Sequence, residues 1–135
     1  MSRRKVREHI FKLLFQTEFY SREEMESQAV LFFEEEDNTV EEEQREEILG
    51  KLNKILFCMD ELDEKLGRAV TGWSLKRIGK VELTILRLAL YEILYDEDVP
   101  SSVAINEAVE LAKKYGQEES AGFVNGVLAK LVPKE

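Results

Sequence analysis

One predicted helix near the middle of the chain is apolar on almost every side. It runs from about Leu75 to Tyr95, and Ser74 before it suits an N-cap. Its apolar residues are Ile78, Val81, Leu83, Ile85, Leu86, Leu88, Ala89, Leu90, Ile93 and Leu94. A helix that is apolar all round has to be covered by other elements on several sides. We therefore expect it to form the core of the C-terminal half of the protein.

The rest of the chain also has helical periodicity. Prolines occur only at Pro100 and Pro133, and no alternation typical of strands is sustained. The other helices are predicted at about 3–20, 23–34, 40–69, 101–115 and 120–131. The predicted fold class is therefore all-α, with six to seven helices.

The 135 residues suit a single domain made of two subbundles of three helices. We place the N-terminal subbundle at about 1–70 and the C-terminal subbundle at about 73–135. Because no proline- or glycine-rich linker separates them, we expect the two subbundles to share one core.

The predicted third helix, about Val40 to Ala69, carries an apolar seam at steps of three and four residues. The seam consists of Ile48, Leu52, Ile55, Met59, Leu62 and Leu66. Such a seam packs on other helices of a bundle, or pairs two copies of a chain as a coiled coil. The internal role is favoured, and a homodimer stays the alternative.

Residues 103–130 read as two amphipathic helices joined at Gly116. Gly116 lies where a residue in the left-handed conformation would end the first of them. Gly122 and Gly126 fall inside the second, where each glycine costs roughly 1 kcal/mol relative to alanine. We therefore expect a neighbouring element to approach the backbone closely at these two glycines.

Charge is strongly segregated along this acidic chain, whose formal net charge is −9. Residues 1–17 hold five basic residues and one acidic residue, residues 18–64 hold four basic and seventeen acidic residues, and residues 65–135 are balanced. An acidic protein usually repels nucleic acid. A compact basic patch can still act locally, because salt screens charges beyond about 8–10 Å.

Four cations crowd the start of the first predicted helix: Arg3, Arg4, Lys5 and Arg7. Cations at a helix N-terminus oppose the macrodipole, so stability does not explain them. One interpretation is a patch that binds RNA phosphates, with Arg3 and Arg7 on one face because they are four residues apart. The other is a frayed, solvated basic terminus, which the sequence alone favours.

Phe123 is the second candidate for RNA binding, because an aromatic ring at the start of the last helix could stack on an unpaired base. The alternative is core packing with Val127, which the pattern alone favours. Lys80 and Glu119 are weaker candidates at the rim of such a site. Lys80 would contact phosphate and Glu119 would tune affinity by repulsion, although a solvated face explains both.

The sequence contains no recognisable catalytic or cofactor motif. Glycine-rich phosphate loops are absent, and a single histidine (His9) with a single cysteine (Cys58) cannot form a zinc cluster or an internal disulfide. No apolar run approaches the roughly 20 residues that span a bilayer. We therefore expect a cytoplasmic, non-enzymatic protein without metal or cofactor and without a membrane anchor.

Several motifs together resemble the NusB family of transcription antitermination factors. The C-terminal signature is AINEAVELAKKYG (104–116) followed by FVNGVL (123–128). Three further stretches fit: SRRKVREHIFKLLFQ (2–16), VELTILRLALYEI (81–93) and VPSSVAINE (99–107). The resemblance spans the chain and is weakest between about residues 22 and 47, where the segment 34–47 is more acidic than the family pattern.

The resemblance implies two packed three-helix bundles and a function in RNA binding. It implies recognition of the single-stranded boxA element of nascent ribosomal RNA together with NusE, a small-subunit ribosomal protein, within the RNA polymerase antitermination complex. It favours an RNA-binding role for the basic start and for Phe123. It also directs attention to a partner surface on the fourth and fifth helices, with candidate residues Glu82, Arg87, Tyr91 and Glu92.

Two other functions compete with this one. The acidic balance and the apolar seam suit a helical interaction module or homodimer that does not bind RNA. A NusB-like module also precedes the catalytic domain of some ribosomal RNA cytosine methyltransferases. That enzyme would need a following α/β domain, which these 135 residues do not contain.

Overall fold

A computed structural model of the protein describes residues 1–35, 40–70 and 77–133. These residues form seven α-helices and no strand, which confirms the all-α prediction. The helices are α1 (Arg3–Gln16), α2 (Arg22–Glu35), α3 (Glu42–Phe57), α4 (Met59–Ala69), α5 (Lys80–Tyr95), α6 (Ser101–Tyr115) and α7 (Ser120–Leu131). The predicted cap at Ser74 lies outside the described residues. In the part of the chain that is described, no helix is long and apolar enough to cross a membrane.

The long third helix predicted at about 40–69 is wrong, because the structure divides it at Cys58. Helix α3 ends at Phe57 and α4 begins at Met59. The apolar seam continues through the break, since Ile55 in α3 and Leu62 in α4 are both fully buried. The two parts of the seam pack on different neighbours: α3 packs on α1, whereas α4 packs on α5 and α7.

The helices form two compact units. The first unit, Met1–Phe57, contains α1 to α3, and the second, Cys58–Glu135, contains α4 to α7. The boundary therefore falls one helix before the predicted division at residues 70–73, because α4 packs with the second unit. The core shared by two subbundles stays a prediction.

In the first unit, α1 packs mainly on α3 and also on α2. Four consecutive residues of α1, from Val6 to His9, are buried. Because successive helical residues point about 100° apart, α1 is covered on all sides at this level. Helix α2 begins with a capping box, in which the Ser21 hydroxyl accepts from the Glu24 amide and the Glu24 carboxylate accepts from the Ser21 amide.

In the second unit, α5 is the central helix, as predicted. It packs on α4, α6 and α7. Its buried residues are Leu83, Thr84, Ile85, Leu86, Leu88, Ala89, Leu90, Tyr91 and Glu92. They point in every direction around the helix axis, so the three neighbouring helices together cover most of α5.

The turn between α6 and α7 requires a glycine for a different reason from the predicted one. Gly116 has φ of −92°, so the predicted left-handed conformation is wrong. A Cβ atom at Gly116 would lie 2.7 Å from the Ala112 carbonyl oxygen and 2.7 Å from the Ser120 side chain. Crowding by the last turn of α6 and by the first residue of α7, rather than a left-handed conformation, therefore excludes a side chain here.

The close approach predicted at the two glycines of α7 is also wrong. Gly122 and Gly126 are exposed, and a Cβ atom at either would meet no described atom within 4 Å. Glycine spacing in a sequence does not distinguish a packed face from an open one.

We expect Gly116→Ala to lower the free energy of unfolding by about 1–3 kcal/mol, because the added methyl group must displace a backbone carbonyl or Ser120. Gly126→Ala is the matched control, and we expect it to raise stability by about 1 kcal/mol through helix propensity. Thermal unfolding followed by circular dichroism measures both. A Gly116→Ala protein at least as stable as the wild type would contradict the packing argument.

Candidate nucleic-acid and partner sites

The first three cations of α1 are exposed at the start of the helix. The Ser2 hydroxyl caps α1 by accepting from the Lys5 amide at 3.0 Å, so these residues belong to an ordered first turn. The Arg3 side chain is 69% exposed, and Arg4 and Lys5 are exposed as well. No acidic residue lies in this turn. The structure thus places three predicted phosphate-binding side chains together, and we call Arg3, Arg4 and Lys5 the basic turn.

Carboxylates already neighbour two members of the basic turn. Arg3 pairs with Glu47 of α3, and the Lys5 Nζ lies 3.3 Å from the Glu8 carboxylate. Exposed ion pairs contribute only about 0–1 kcal/mol, so a phosphate could displace Glu47 at small cost. Glu47 belongs to the segment 34–47, whose acidity is expected to weaken RNA binding.

Arg7 does not share the exposed face predicted for it and Arg3. Its residue exposure is 9%, and Phe11, one turn later on the same side, is also buried. The side of α1 that is exposed at Arg3 enters the interior one turn later. Spacing of four residues correctly puts two side chains on one face but does not tell where that face becomes covered.

A hydrogen bond links the starts of α5 and α7, where the predicted site residues Lys80, Glu119 and Phe123 lie. Ser120, the first residue of α7, donates its hydroxyl to the Glu82 carboxylate in the first turn of α5 at 3.0 Å. The same hydroxyl accepts from the Gln117 amide at 2.9 Å. Lys80 begins α5, and Phe123 lies in the first turn of α7.

This pair of helix starts has features that suit an RNA contact. Lys80 and Glu119 are exposed, and the Phe123 ring is half-buried. Helix N-termini present unpaired amide groups and a partial positive charge, which favour phosphate. Gly79, the N-cap residue of α5, has no side chain, and the Glu119 side chain makes no capping bond at the start of α7. The partial exposure of Phe123 leaves ring surface for stacking and does not place it wholly in the core.

The four predicted partner residues are largely engaged within the second unit. The Glu82 carboxylate accepts a hydrogen bond from Ser120. The Arg87 guanidinium donates twice to Asp63 of α4, with both distances 2.8 Å. Tyr91 is buried, and Glu92 is only 1% exposed. The polar groups of this apolar helix therefore mainly make contacts inside the unit, and only a small part of them is exposed. A buried polar group needs a partner inside the protein, so polarity alone does not indicate exposure.

The sequence gives no local signal for two of the contacts around this helix. Asp63 lies 24 residues before Arg87, and Glu61 lies 34 residues before Tyr95, whose hydroxyl donates to it. The bond to Glu61 raises the pKa of Tyr95 to about 12. Periodicity describes positions within one helix, so it could not find these pairs between helices.

These features define a small all-α protein whose candidate sites are binding surfaces. Within residues 1–35, 40–70 and 77–133, no group of three or more His, Cys, Asp or Glu side chains is placed to hold a metal ion. The chain belongs to the NusB family, whose family model matches residues 4–133, and the predicted resemblance is therefore confirmed.

Individual relatives agree with this assignment. The chain is 49% identical to the transcription antitermination protein NusB of Lachnoclostridium phytofermentans, with 98% of this chain and 99% of that protein covered. Its fold matches the structure of NusB from T. maritima with a TM-score of 0.86 and 36% identity, covering 98% of this chain and 91% of that one.

A structure of the antitermination factors NusB and NusE in complex with double-stranded RNA also matches. Its TM-score is 0.81 at 24% identity, covering 96% of this chain and 95% of that one. At this identity the likeness concerns the fold.

We expect Arg87→Ala to lower the free energy of unfolding by about 1–3 kcal/mol, because it removes two charged hydrogen bonds and leaves Asp63 unpaired. Arg68→Ala is the matched control, since Arg68 pairs with Glu64 on the open surface, and we expect a loss below about 1 kcal/mol. Urea unfolding measures both. Equal losses would show that the Arg87–Asp63 pair contributes no more than a surface pair.

Proposed function

We propose that this protein is an RNA-binding transcription antitermination factor. It binds the boxA element of nascent ribosomal RNA together with the ribosomal protein NusE, and the complex helps RNA polymerase read through terminators. Membership of the NusB family, with relatives named for antitermination, supports this function. The structural observation that carries it is the exposed basic turn on an otherwise acidic protein. Because nascent transcripts are made there, the proposed place of action is the cytoplasm.

The proposed mechanism is binding without catalysis, and it needs no metal or cofactor. Arg3, Arg4 and Lys5 neutralise RNA phosphates and release counterions, which supplies affinity without base specificity. Phe123 stacks on a base, and Lys80 holds a phosphate at the adjacent helix starts. Glu119, exposed beside them, lowers affinity by repulsion. Arg7 is left out of the RNA contact because it is buried.

We propose single-stranded RNA as the target, since unpaired bases can reach an aromatic ring. The solved NusB–NusE complex contains double-stranded RNA. A binding assay should therefore compare a single-stranded boxA oligonucleotide with the same sequence in a duplex. Tighter binding to the single strand supports the stacking role of Phe123, and tighter binding to the duplex contradicts it.

For the partner surface, we propose that Glu82 and Arg87 contact NusE through the part of each side chain that stays exposed, which is 12% for Arg87. Tyr91 and Glu92, which are buried, act by holding the shape of α5. A helical interaction module that does not bind RNA remains the second candidate. It is favoured by exposed apolar side chains in the first unit, among them Phe57.

We expect replacement of the basic turn by alanine, Arg3→Ala with Arg4→Ala and Lys5→Ala, to weaken binding of a boxA oligonucleotide. Each phosphate neutralised on a single strand contributes about −0.7 to the slope of log K against log salt, so losing three cations should flatten the slope by up to about 2. Fluorescence anisotropy at several salt concentrations, with and without NusE, measures this. Circular dichroism should show unchanged helix content, and unchanged RNA affinity would remove the basic turn from the mechanism.

Removing a carboxylate beside the basic turn should have the opposite effect on RNA affinity. Glu47→Gln removes the carboxylate that competes for Arg3, so RNA affinity should rise. Glu43→Gln changes the net charge equally on an exposed residue one turn earlier in α3. A larger gain for Glu47→Gln than for Glu43→Gln indicates local competition at Arg3. Equal gains would indicate only the effect of net charge.

A further inference from the structure

A cleft runs along the first unit between α2 and α3. Its volume is about 600 Å³, and its lining extends from Arg22 to Glu34 on α2 and from Glu42 to Phe57 on α3. At 1.5 Å per residue, the lining on each helix is about 18–23 Å long. Helix α2 packs on α1, whereas the cleft separates α2 from α3. The cleft is therefore elongated, with a helix along each side.

The floor and walls of the cleft are apolar. Met25, Ala29, Phe33 and Leu52 are buried side chains that line it. At its edge, Val30 is 58% exposed and Phe57 is 91% exposed. Large apolar side chains grouped around a cleft, rather than scattered singly, are typical of a surface that a partner covers.

The rim of the cleft is acidic. Four exposed glutamates line it: Glu26, Glu34, Glu42 and Glu46. The two arginines of the lining are bound to the protein itself. Arg22 donates to the Leu56 carbonyl oxygen at 3.0 Å, and Arg45 donates to the Val40 carbonyl oxygen at 2.9 Å. The Arg45 guanidinium also lies over the Phe33 ring, 5.4 Å from its centre.

We propose that this cleft binds a cationic amphipathic helix of a partner protein. Apolar side chains at i, i+3, i+4 and i+7 of that helix fill the cleft between α2 and α3, as in other helix-in-groove complexes. Its lysines and arginines face the four glutamates of the rim. The length of the cleft corresponds to about 12–15 residues of helix, which is more than a small molecule would need.

The charge of the first unit argues against a second copy of this chain as the occupant. Within this unit, residues 18–57 carry thirteen acidic and four basic residues, so two such surfaces repel each other. The same charge argues against RNA in the cleft, because phosphates meet the glutamate rim. The proposed surface is thus separate in residues and in charge from the basic turn, and it does not depend on the proposed RNA function.

Binding of two synthetic helical peptides to the full chain tests this proposal. Both carry leucines at i, i+3, i+4 and i+7; one has lysines on its flanks and the other has glutamates. We expect the lysine peptide to bind at least about tenfold more tightly, a difference of about 1.4 kcal/mol. Its affinity should fall as the salt concentration rises. Amide shift changes in NMR spectra should fall on α2 and α3. Equal affinity of the two peptides would overturn the proposal.

Surface variants locate the binding. The double variant Val30→Ser with Phe57→Ser should lower the affinity for the lysine peptide about tenfold or more, because both side chains are exposed at the cleft. It should leave RNA affinity unchanged. Val103→Ser is the matched control, since Val103 is 42% exposed on α6, and it should change nothing. Undiminished peptide binding by the double variant overturns the proposal. A second outcome also overturns it: neither peptide binds, and the protein self-associates unless Phe57 is replaced by serine. The occupant of the cleft would then be a second copy of the chain.

Discussion

The burial of α5 is the constraint on which the second unit depends. Its buried side chains point in every direction around the helix axis, and each fully buried Leu or Ile contributes about 1.5–3 kcal/mol of transfer free energy. This burial requires α4, α6 and α7 to surround α5. It also requires the polar groups on α5 to find partners inside the unit, which Arg87 does with Asp63 and Glu82 does with Ser120. The second of these bonds sets the starts of α5 and α7 side by side, and this arrangement creates the candidate site at Lys80 and Phe123.

The candidate RNA surface on α1 rests on local rather than average electrostatics. The chain is acidic overall, yet the first turn of α1 exposes three cations on a helix that Ser2 caps. Glu47 partly compensates this charge. Since surface ion pairs are weak, we expect this compensation to lower RNA affinity without blocking the surface. The arrangement predicts that neighbouring carboxylates lower the proposed RNA affinity.

The sequence predicted those features that depend on periodicity or on local charge. The all-α class, the central position of α5 and the exposure of Arg3 to Lys5 belong to this group. Other features depend on which helices meet. The break at Cys58 leaves the apolar repeat intact, so the repeat could not reveal it. The burial of Arg7 and Glu92 follows from packing between helices that no single helix encodes. The need for glycine at Gly116 arises partly in the same way, because Ser120 of the next helix lies against it.

The same limit explains the outcome at the candidate sites. Residue type identified Glu82, Arg87, Tyr91 and Glu92 as polar interruptions of an apolar helix. Only the structure shows that Glu82 and Arg87 also bond within the unit and that Tyr91 and Glu92 are buried. The cleft between α2 and α3 was not found from the sequence, because its walls come from two helices whose own patterns read as ordinary amphipathic faces.

An NMR titration of the ¹⁵N-labelled protein with a single-stranded boxA oligonucleotide tests the central claim most directly. The account predicts that the largest shift changes fall on residues 3–5 and on the helix starts around Lys80 and Phe123. It predicts small changes along the acidic cleft of the first unit. Changes confined to other surfaces, with residues 3–5 unaffected at saturating RNA, would contradict the claim that exposed cations on α1 bind the transcript.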